Sequence, residues 1–229
     1  MSVQIERIPF HPDTRPTALL DRPAFSPAAL RAKRLIDIGV AATLLVMAVP
    51  FLVLIAIAVA LTSPGPVLFR QSRVGRDGTQ FTMLKFRTMG HGTHDRVRSD
   101  PALWQLYVDN DYKLPQSHAE VTRIGSWLRR SSLDELPQLV NVMRGEMSVV
   151  GVRPIEMVQF VTRAEHSRQM YVALAPGLTG RWQVDGRSTV HHQARVQLDD
   201  SYVETWSLAT DFALFLRTPW ALVKHNVRR

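Results

Sequence analysis

The sequence predicts a helix-rich α+β protein, with a proline-kinked membrane helix near the N-terminus and a polar domain after it that holds a small β-hairpin. Three observations carry this. Ile38 to Leu61 is a run of 24 residues without a formal charge, beyond the roughly 18 that mark a membrane segment. Asp77-Gly78 separates "VLFRQSRV" from "TQFTMLKF", a strong hairpin signal. Most of the chain after residue 120 has helical periodicity or helix-capping residues.

Residues 1 to 30 contain five prolines (Pro9, Pro12, Pro16, Pro23, Pro27) and little apolar periodicity, which predicts an extended, mobile arm. The apolar run would be about 36 Å long as a straight helix, enough to cross a hydrocarbon core of about 30 Å. Pro50 is its thirteenth residue. There it forbids the bond to the Val46 carbonyl and favours a bend. Two arms of roughly 12 residues reach only about 18 Å each, so a hairpin would dip into one leaflet and return. Arg31, Lys33 and Arg34 precede the run while Arg70, Arg73 and Arg76 follow it, and the positive-inside rule then holds both ends on the cytoplasmic side. The expected organisation is an arm over 1–30, a re-entrant membrane helix over 31–62 and a cytoplasmic domain over 63–229. A kinked crossing helix and a buried soluble helix are the alternatives.

In the second hairpin strand Lys85 and Arg87 alternate onto one face with Phe86 opposite. Such a pair is either an exposed basic face or a grip for a diphosphate. From His91 to Glu120 the chain is polar and predicts loop with one short helix over 103–108. "HGTHD" places His91, His94 and Asp95 at a spacing a metal can use, but no third or fourth ligand accompanies them. Helices are expected over 122–130 and 133–143, the second ended by Gly145. A single helix is expected over 156–174, with Met157, Phe160, Val161 and Tyr171 on its apolar face. After a glycine-punctuated stretch over 175–188, helices are expected over 190–206 and 208–224. The last carries Phe212, Leu216 and Trp220 beside Arg217, and either lies on a membrane surface or packs on the core.

The chain has no cysteine, which excludes disulfides, thiolate metal sites and a cysteine nucleophile. Lys plus Arg exceed Asp plus Glu by 28 to 20, a formal +8 that suits phosphate partners. No phosphate-binding loop, dinucleotide fingerprint or nucleic-acid recognition motif occurs. "SSLDELPQLVNVMRGEM", residues 131–147, instead places adjacent carboxylates, Asp134 and Glu135, at a helix entrance. Ser132 and Glu135 read as a capping box, and Pro137 requires either a distorted first turn or a helix that starts near it. Capping and chemistry both remain open for this pair.

Taken in order, "SPGPVLFRQSRVGRDGTQFTMLKFRTM", "RIGSWLRRSSLDELPQLVNVMRGEMSVVGVRP", "PGLTGRWQVDGRS" and "LDDSYV" resemble the bacterial sugar transferases. These are monotopic phosphoglycosyl transferases that start exopolysaccharide and O-antigen synthesis. The resemblance covers about Lys33 to Lys224 and is nearest to compact members. It implies transfer of a sugar 1-phosphate from a UDP-sugar to undecaprenyl phosphate, at the cytoplasmic face of the bacterial plasma membrane. Asp134 matches the family's nucleophile, which forms a covalent phosphosugar intermediate. Glu135 matches the glutamate that works with Mg2+ at the dyad, so the pair are also the implied metal ligands. Lys85, Arg87, Arg153 and Arg187 match basic motif positions that hold phosphate, and Asp199 matches a carboxylate that is either metal-proximal or paired with an arginine. The helix entrance at the dyad would add free amides for the phosphate.

Membrane lipid and downstream glycosyltransferases are the further implied partners, with no nucleic acid and with a homodimer left open. Glucose or galactose is the favoured sugar. Val152, where the family usually has proline, and Arg181, where an apolar residue is usual, depart from the pattern. The rival readings are a membrane-bound phosphatase or nucleotidase using the same dyad, and a basic membrane-tethered adaptor without catalysis.

Overall fold

The computed structural model describes residues 22–110, 112–185 and 192–227. Its spine is α1, Pro27–Thr62. Ser26 caps it by accepting from the Ala29 amide at 3.3 Å, and Pro27 sits at the position where a missing N–H costs least. The helix therefore begins earlier than expected, because Phe25 is buried against Trp206 with ring centroids 5.1 Å apart. Residues 1–21 of the expected arm lie outside the described residues.

The hairpin is as the sequence predicts. β1 (Leu68–Val74) and β2 (Gln80–Phe86) are antiparallel, with Phe69 opposite Lys85. Asp77 and Gly78 both take positive φ, 58° and 73°, as the turn demands. The expected loop after it holds two helices, α2 (Thr93–Ser99) and α3 (Pro101–Asp109). Asp100 accepts from the Ala102 and Leu103 amides, so Asp100-Pro101 is a cap and first-turn pair hidden in a polar stretch. α4 (Arg123–Ser131), a tight 3-10 turn (Leu133–Glu135) and α5 (Gln138–Arg144) follow, and Gly145 closes α5 at φ 84°.

β3 (Ser148–Val150) pairs in parallel with β4 (Gly177–Thr179). Between them, the single helix expected over 156–174 is two, α6 (Met157–Val161) and α7 (Glu165–Ala173). At the break Arg163 turns inward and pairs with the buried Asp199 at 2.8 Å. α8 (Arg181–Asp185), α9 (His192–Glu204) and α10 (Leu208–Val227) complete the fold.

The expected pair of short arms in α1 is instead one helix continuous through Pro50. A proline removes one bond from a ladder that the neighbouring turns keep. Lys33, Asp37, Ala41, Ala48, Ile55 and Val59 are buried, at spacings of four or seven that make one stripe along the helix. Lys33 donates to Asp211 at 2.5 Å and to the Val150 carbonyl at 2.9 Å. Asp37 accepts from the Ser148 hydroxyl and the Val149 amide, each at 2.9 Å. Tyr202 and Trp206 donate to the same Asp211 carboxylate. Removing Asp211 leaves a buried charge without its main partner, a loss of about 3–5 kcal/mol. Arg34 donates to the Val142 and Met143 carbonyls at the end of α5. Thus Lys33 and Arg34, read from sequence as positive-inside flanking charges, are spent on the domain.

Three apolar clusters result. The main core joins the first half of α1 to β3, α5, α7, α9 and α10. A second joins Ile55 and Val59 to Phe86 and Leu128, and a third, around Val97, Tyr107 and Leu114, lies under α2 and α3. The other side of α1 is apolar and open, with Val46 73% and Leu61 82% exposed. On α10, Phe212, Leu216 and Trp220 form a second open stripe at spacings of four. Contiguous apolar surface on this scale marks a contact face.

Candidate active site

β2 is the axis of the site. Phe86 is buried in the second cluster, so Lys85 is turned the other way, and its ammonium meets Glu135 at 2.8 Å. Asn141 of α5 fixes this register. Its side-chain oxygen accepts from the Leu84 amide at 3.0 Å and its NH2 donates to the Thr82 carbonyl at 2.8 Å, which supplies β2 with the ladder bonds a further strand would have made. The helix just after the dyad is thereby locked to the strand that carries Lys85.

α4 fixes the other side. A Cβ on Gly125 would lie 2.0 Å from the Thr88 carbonyl oxygen, so only glycine allows this approach. One turn later Arg129 donates to the Thr88 hydroxyl at 2.9 Å and to the Leu114 carbonyl at 3.1 Å. α4 ends at Ser132, whose φ is 59°, a left-handed position that a non-glycine residue adopts at a cost. The capping box does not form, since the Ser132 side chain makes no capping bond and Glu135 turns to Lys85. The regular helix begins only after Pro137. Four amides at this entrance are engaged, those of Glu135 and Leu136 on the Ser132 and Leu133 carbonyls and those of Leu139 and Val140 on Leu136 and Pro137. The Asp134 amide faces its own carboxylate and, with Lys85 and Arg129, favours the charged form.

The dyad opens onto a cleft of about 1150 Å³. It is lined by Lys85, Arg129, Asp134 and Glu135, by the stacked pair Arg153 and Trp182, and by Tyr107 and Tyr112. Leu133 and Leu136, on either side of the dyad, pack on the second cluster with Ile55 and Val59 of α1. A carboxylate pair in a basic cleft therefore sits directly against the apolar helix.

The profile of the family described as "Bacterial sugar transferase" matches residues 28–225. This chain is a member of the bacterial sugar transferase family. It is 42% identical over 195 residues to a "UDP-glucose:undecaprenyl-phosphate glucose-1-phosphate transferase" of Caulobacter vibrioides, covering 81% of this chain and 67% of that one. It is 39% identical to a "UDP-galactose-lipid carrier transferase" of Erwinia amylovora, over 85% of this chain but only 41% of the relative. It is 37% identical to the "Exopolysaccharide production protein ExoY" of Sinorhizobium fredii, over 85% of this chain and 87% of the relative. The chain thus spans about two fifths of some curated relatives and most of others.

In this family member the residues singled out by sequence separate into two groups. Asp134, Glu135, Lys85 and Arg153 share the cleft. Arg87 borders it, but its guanidinium donates to the carbonyls of Pro66, Ser63 and Val59 at 2.5, 2.6 and 3.3 Å. It caps the C-terminal end of α1, where orphan carbonyls need donors, so these donors are engaged within the protein. Of the two readings of Asp199, pairing with an arginine is the one seen: it does not line the cleft, and its partner is Arg163 at 2.8 Å. Arg187 lies outside the described residues. His94 packs edge-on to Phe69 and near Tyr107, and burial lowers its pKa. Arg129 joins the dyad because Thr88 and Leu114, both distant in sequence, hold its side chain at the cleft. Val152 is absorbed into the core and its carbonyl accepts from Gly177, while Arg181 bridges α8 to Ser201 of α9 and to Thr205 just after it.

Asp134 is 8% exposed. Burial and then the Glu135 charge push its pKa up to about 6, against the pull of Lys85 and Arg129. Among the described residues no group of three or more His, Asp or Glu is placed to hold a metal. Two adjacent carboxylates still fit Mg2+, which commonly takes one or two carboxylates and completes its shell with substrate phosphate and water. The repulsion that raises Asp134 is what a divalent cation relieves.

Carbon-13 NMR of the aspartate carboxyls should find Asp134 titrating near pH 6. Lys85→Gln removes a charge that lowers this value, so the midpoint should rise; an unmoved or lowered midpoint would contradict the arrangement.

Proposed function

We propose that this protein transfers a sugar 1-phosphate from a UDP-sugar to undecaprenyl phosphate and releases UMP. The observation that carries the reading is Asp134, desolvated beside Glu135 in a basic cleft, with Leu133 and Leu136 packed on α1. Above about pH 6 Asp134 is a carboxylate, and its oxygen attacks the sugar-bearing phosphorus. The bond to the bridging oxygen breaks, and UMP leaves with the electron pair. An aspartyl phosphosugar results, splitting one hard transfer into two easier ones. An oxygen of the lipid phosphate then attacks the same phosphorus, expels the Asp134 carboxylate and yields the polyprenyl diphosphate sugar.

Lys85 and Arg129 lie where charge builds on the phosphate oxygens. Asp134 and Glu135 are the residues that would hold Mg2+, which supplies charge neutralisation on those oxygens. Glucose and galactose are the favoured sugars, in line with the printed names of the Caulobacter and Erwinia relatives. Such a product is the first lipid-linked intermediate of exopolysaccharide or O-antigen synthesis, and downstream glycosyltransferases would extend it.

The membrane reading is monotopic. α1 has the length and hydropathy of a membrane segment, yet Arg34 near its start bonds to α5 and its end is held by Arg87 after β2. Both ends thus belong to one polar domain, which supports entry from one side, with the open stripe of α10 on the same bilayer surface. The cytoplasmic face is the side where UDP-sugars are available.

Purified protein, a polyprenol phosphate and labelled UDP-glucose or UDP-galactose should give UMP and a lipid-linked sugar. Asp134→Asn should reduce turnover at least about a thousandfold; no lipid product from any UDP-sugar, or an unaffected variant, would sink the proposal. For the topology, single cysteines at Ala18 and Ser72 should both react only from the cytoplasmic side, and outside labelling of either would mean a crossing helix.

A further inference from the structure

Among the basic residues at the cleft, most are already committed within the protein. Lys85 is on Glu135, Arg87 on the carbonyls that end α1 and Arg129 on Thr88 and Leu114. Arg73 is on Gln71, with Glu156 at 3.8 Å. Arg153 differs. Among the described residues no carboxylate stands within ion-pair distance of its guanidinium, and what it rests on is an aromatic face, 4.9 Å from the centroid of Trp182. A second cation, Arg195, lies 4.7 Å from the same indole.

Trp182 itself is 4% exposed, and among the described residues its buried indole N–H has no hydrogen-bond partner. A buried N–H left unpaired is unfavourable, so hydrogen bonding does not account for a tryptophan here. Its large π surface does, because a guanidinium is held over an aromatic face without any of its N–H donors being used. The backbone is fixed separately. The Arg153 amide faces the buried carboxylate of Asp199 and favours its charged form, and Arg163 anchors that carboxylate at 2.8 Å.

We propose that Trp182 is a positioning residue, which holds the Arg153 guanidinium at the cleft wall with its donors directed to the diphosphate of a nucleoside diphosphate sugar. This rests on the cleft being the UDP-sugar site. Stacking orients the fork and leaves it unneutralised, whereas a carboxylate in the place of Trp182 would orient it and consume it. Asp199 and Arg163 act one step further back, through the Arg153 backbone.

The test is a double-mutant cycle on the full chain, read as KM and kcat for whichever of UDP-glucose and UDP-galactose the wild type uses. Trp182→Leu should raise KM about tenfold with kcat nearly unchanged, and Trp182→Phe, which keeps a π face, should restore most of it. In an Arg153→Ala background Trp182→Leu should add less than about twofold, because its partner is gone. An equal effect of Trp182→Leu in both backgrounds, or no KM effect in either, would overturn the positioning role while leaving the transferase reading intact. If Trp182→Leu does not fold, the same comparison is made with Trp182→Phe, whose smaller KM increase should likewise vanish without Arg153. A wild type that turns over no UDP-sugar overturns the transferase reading and this inference with it.

Discussion

A helix with an open apolar side is held on a polar domain only through the stripe that faces that domain, and in α1 the stripe carries two charges. Lys33 and Asp37 are buried, and each finds partners that no other register of the helix would supply: Asp211 and the Val150 carbonyl for one, Ser148 and the Val149 amide for the other. Buried charges are weak sources of net stability but costly to mispair. They select one seating among the many that apolar contacts alone would tolerate. Ala41, Ala48, Ile55 and Val59 follow in that seating, and Ile55 and Val59 bring the helix against Leu133 and Leu136. The depth of the dyad relative to the apolar helix is thus set about six turns away.

The same economy runs through β2. Successive residues at its end serve different partners: Lys85 the dyad, Phe86 the second cluster, Arg87 the end of α1 and Thr88 the arginine of α4. A strand alternates its side chains by two, so one short segment ties the apolar helix to the paired carboxylates. Asn141 holds this segment in register from the outside. Asp134 consequently lies in a site where burial raises its pKa and cations restrain the rise. It stays ionisable near neutrality yet poorly solvated, a condition suited to a nucleophile.

Local chemistry was legible in the sequence where a few neighbouring residues decide the outcome. Asp77-Gly78 specified the hairpin turn, Gly145 the end of α5 and Pro137 the late start of that helix. The apolar run marked α1, but its inward stripe was hidden because Lys33 and Asp37 resemble flanking charges. Asp134 and Glu135 were found, yet the capping box failed because Ser132 is the left-handed end of α4 rather than the start of the next helix. Alternation placed Lys85 and Arg87 on one side of β2 without revealing that the end of α1 waits for Arg87. Arg129 was missed for the same reason, since Thr88 and Leu114 reach it only through the tertiary fold. The stacking of Arg153 on Trp182 joins residues 29 apart, and no local pattern announces it.

The claim on which the rest turns is that Asp134 becomes covalently bonded to phosphorus before any lipid arrives. Intact-mass and peptide mass spectrometry of the protein incubated with UDP-sugar, but without polyprenol phosphate, examine that step alone. A covalent nucleophile predicts one added hexose phosphate on the peptide containing Asp134, its loss on adding lipid phosphate, and no adduct in Asp134→Asn. UMP release that strictly requires the lipid, with the protein mass unchanged throughout, would contradict it.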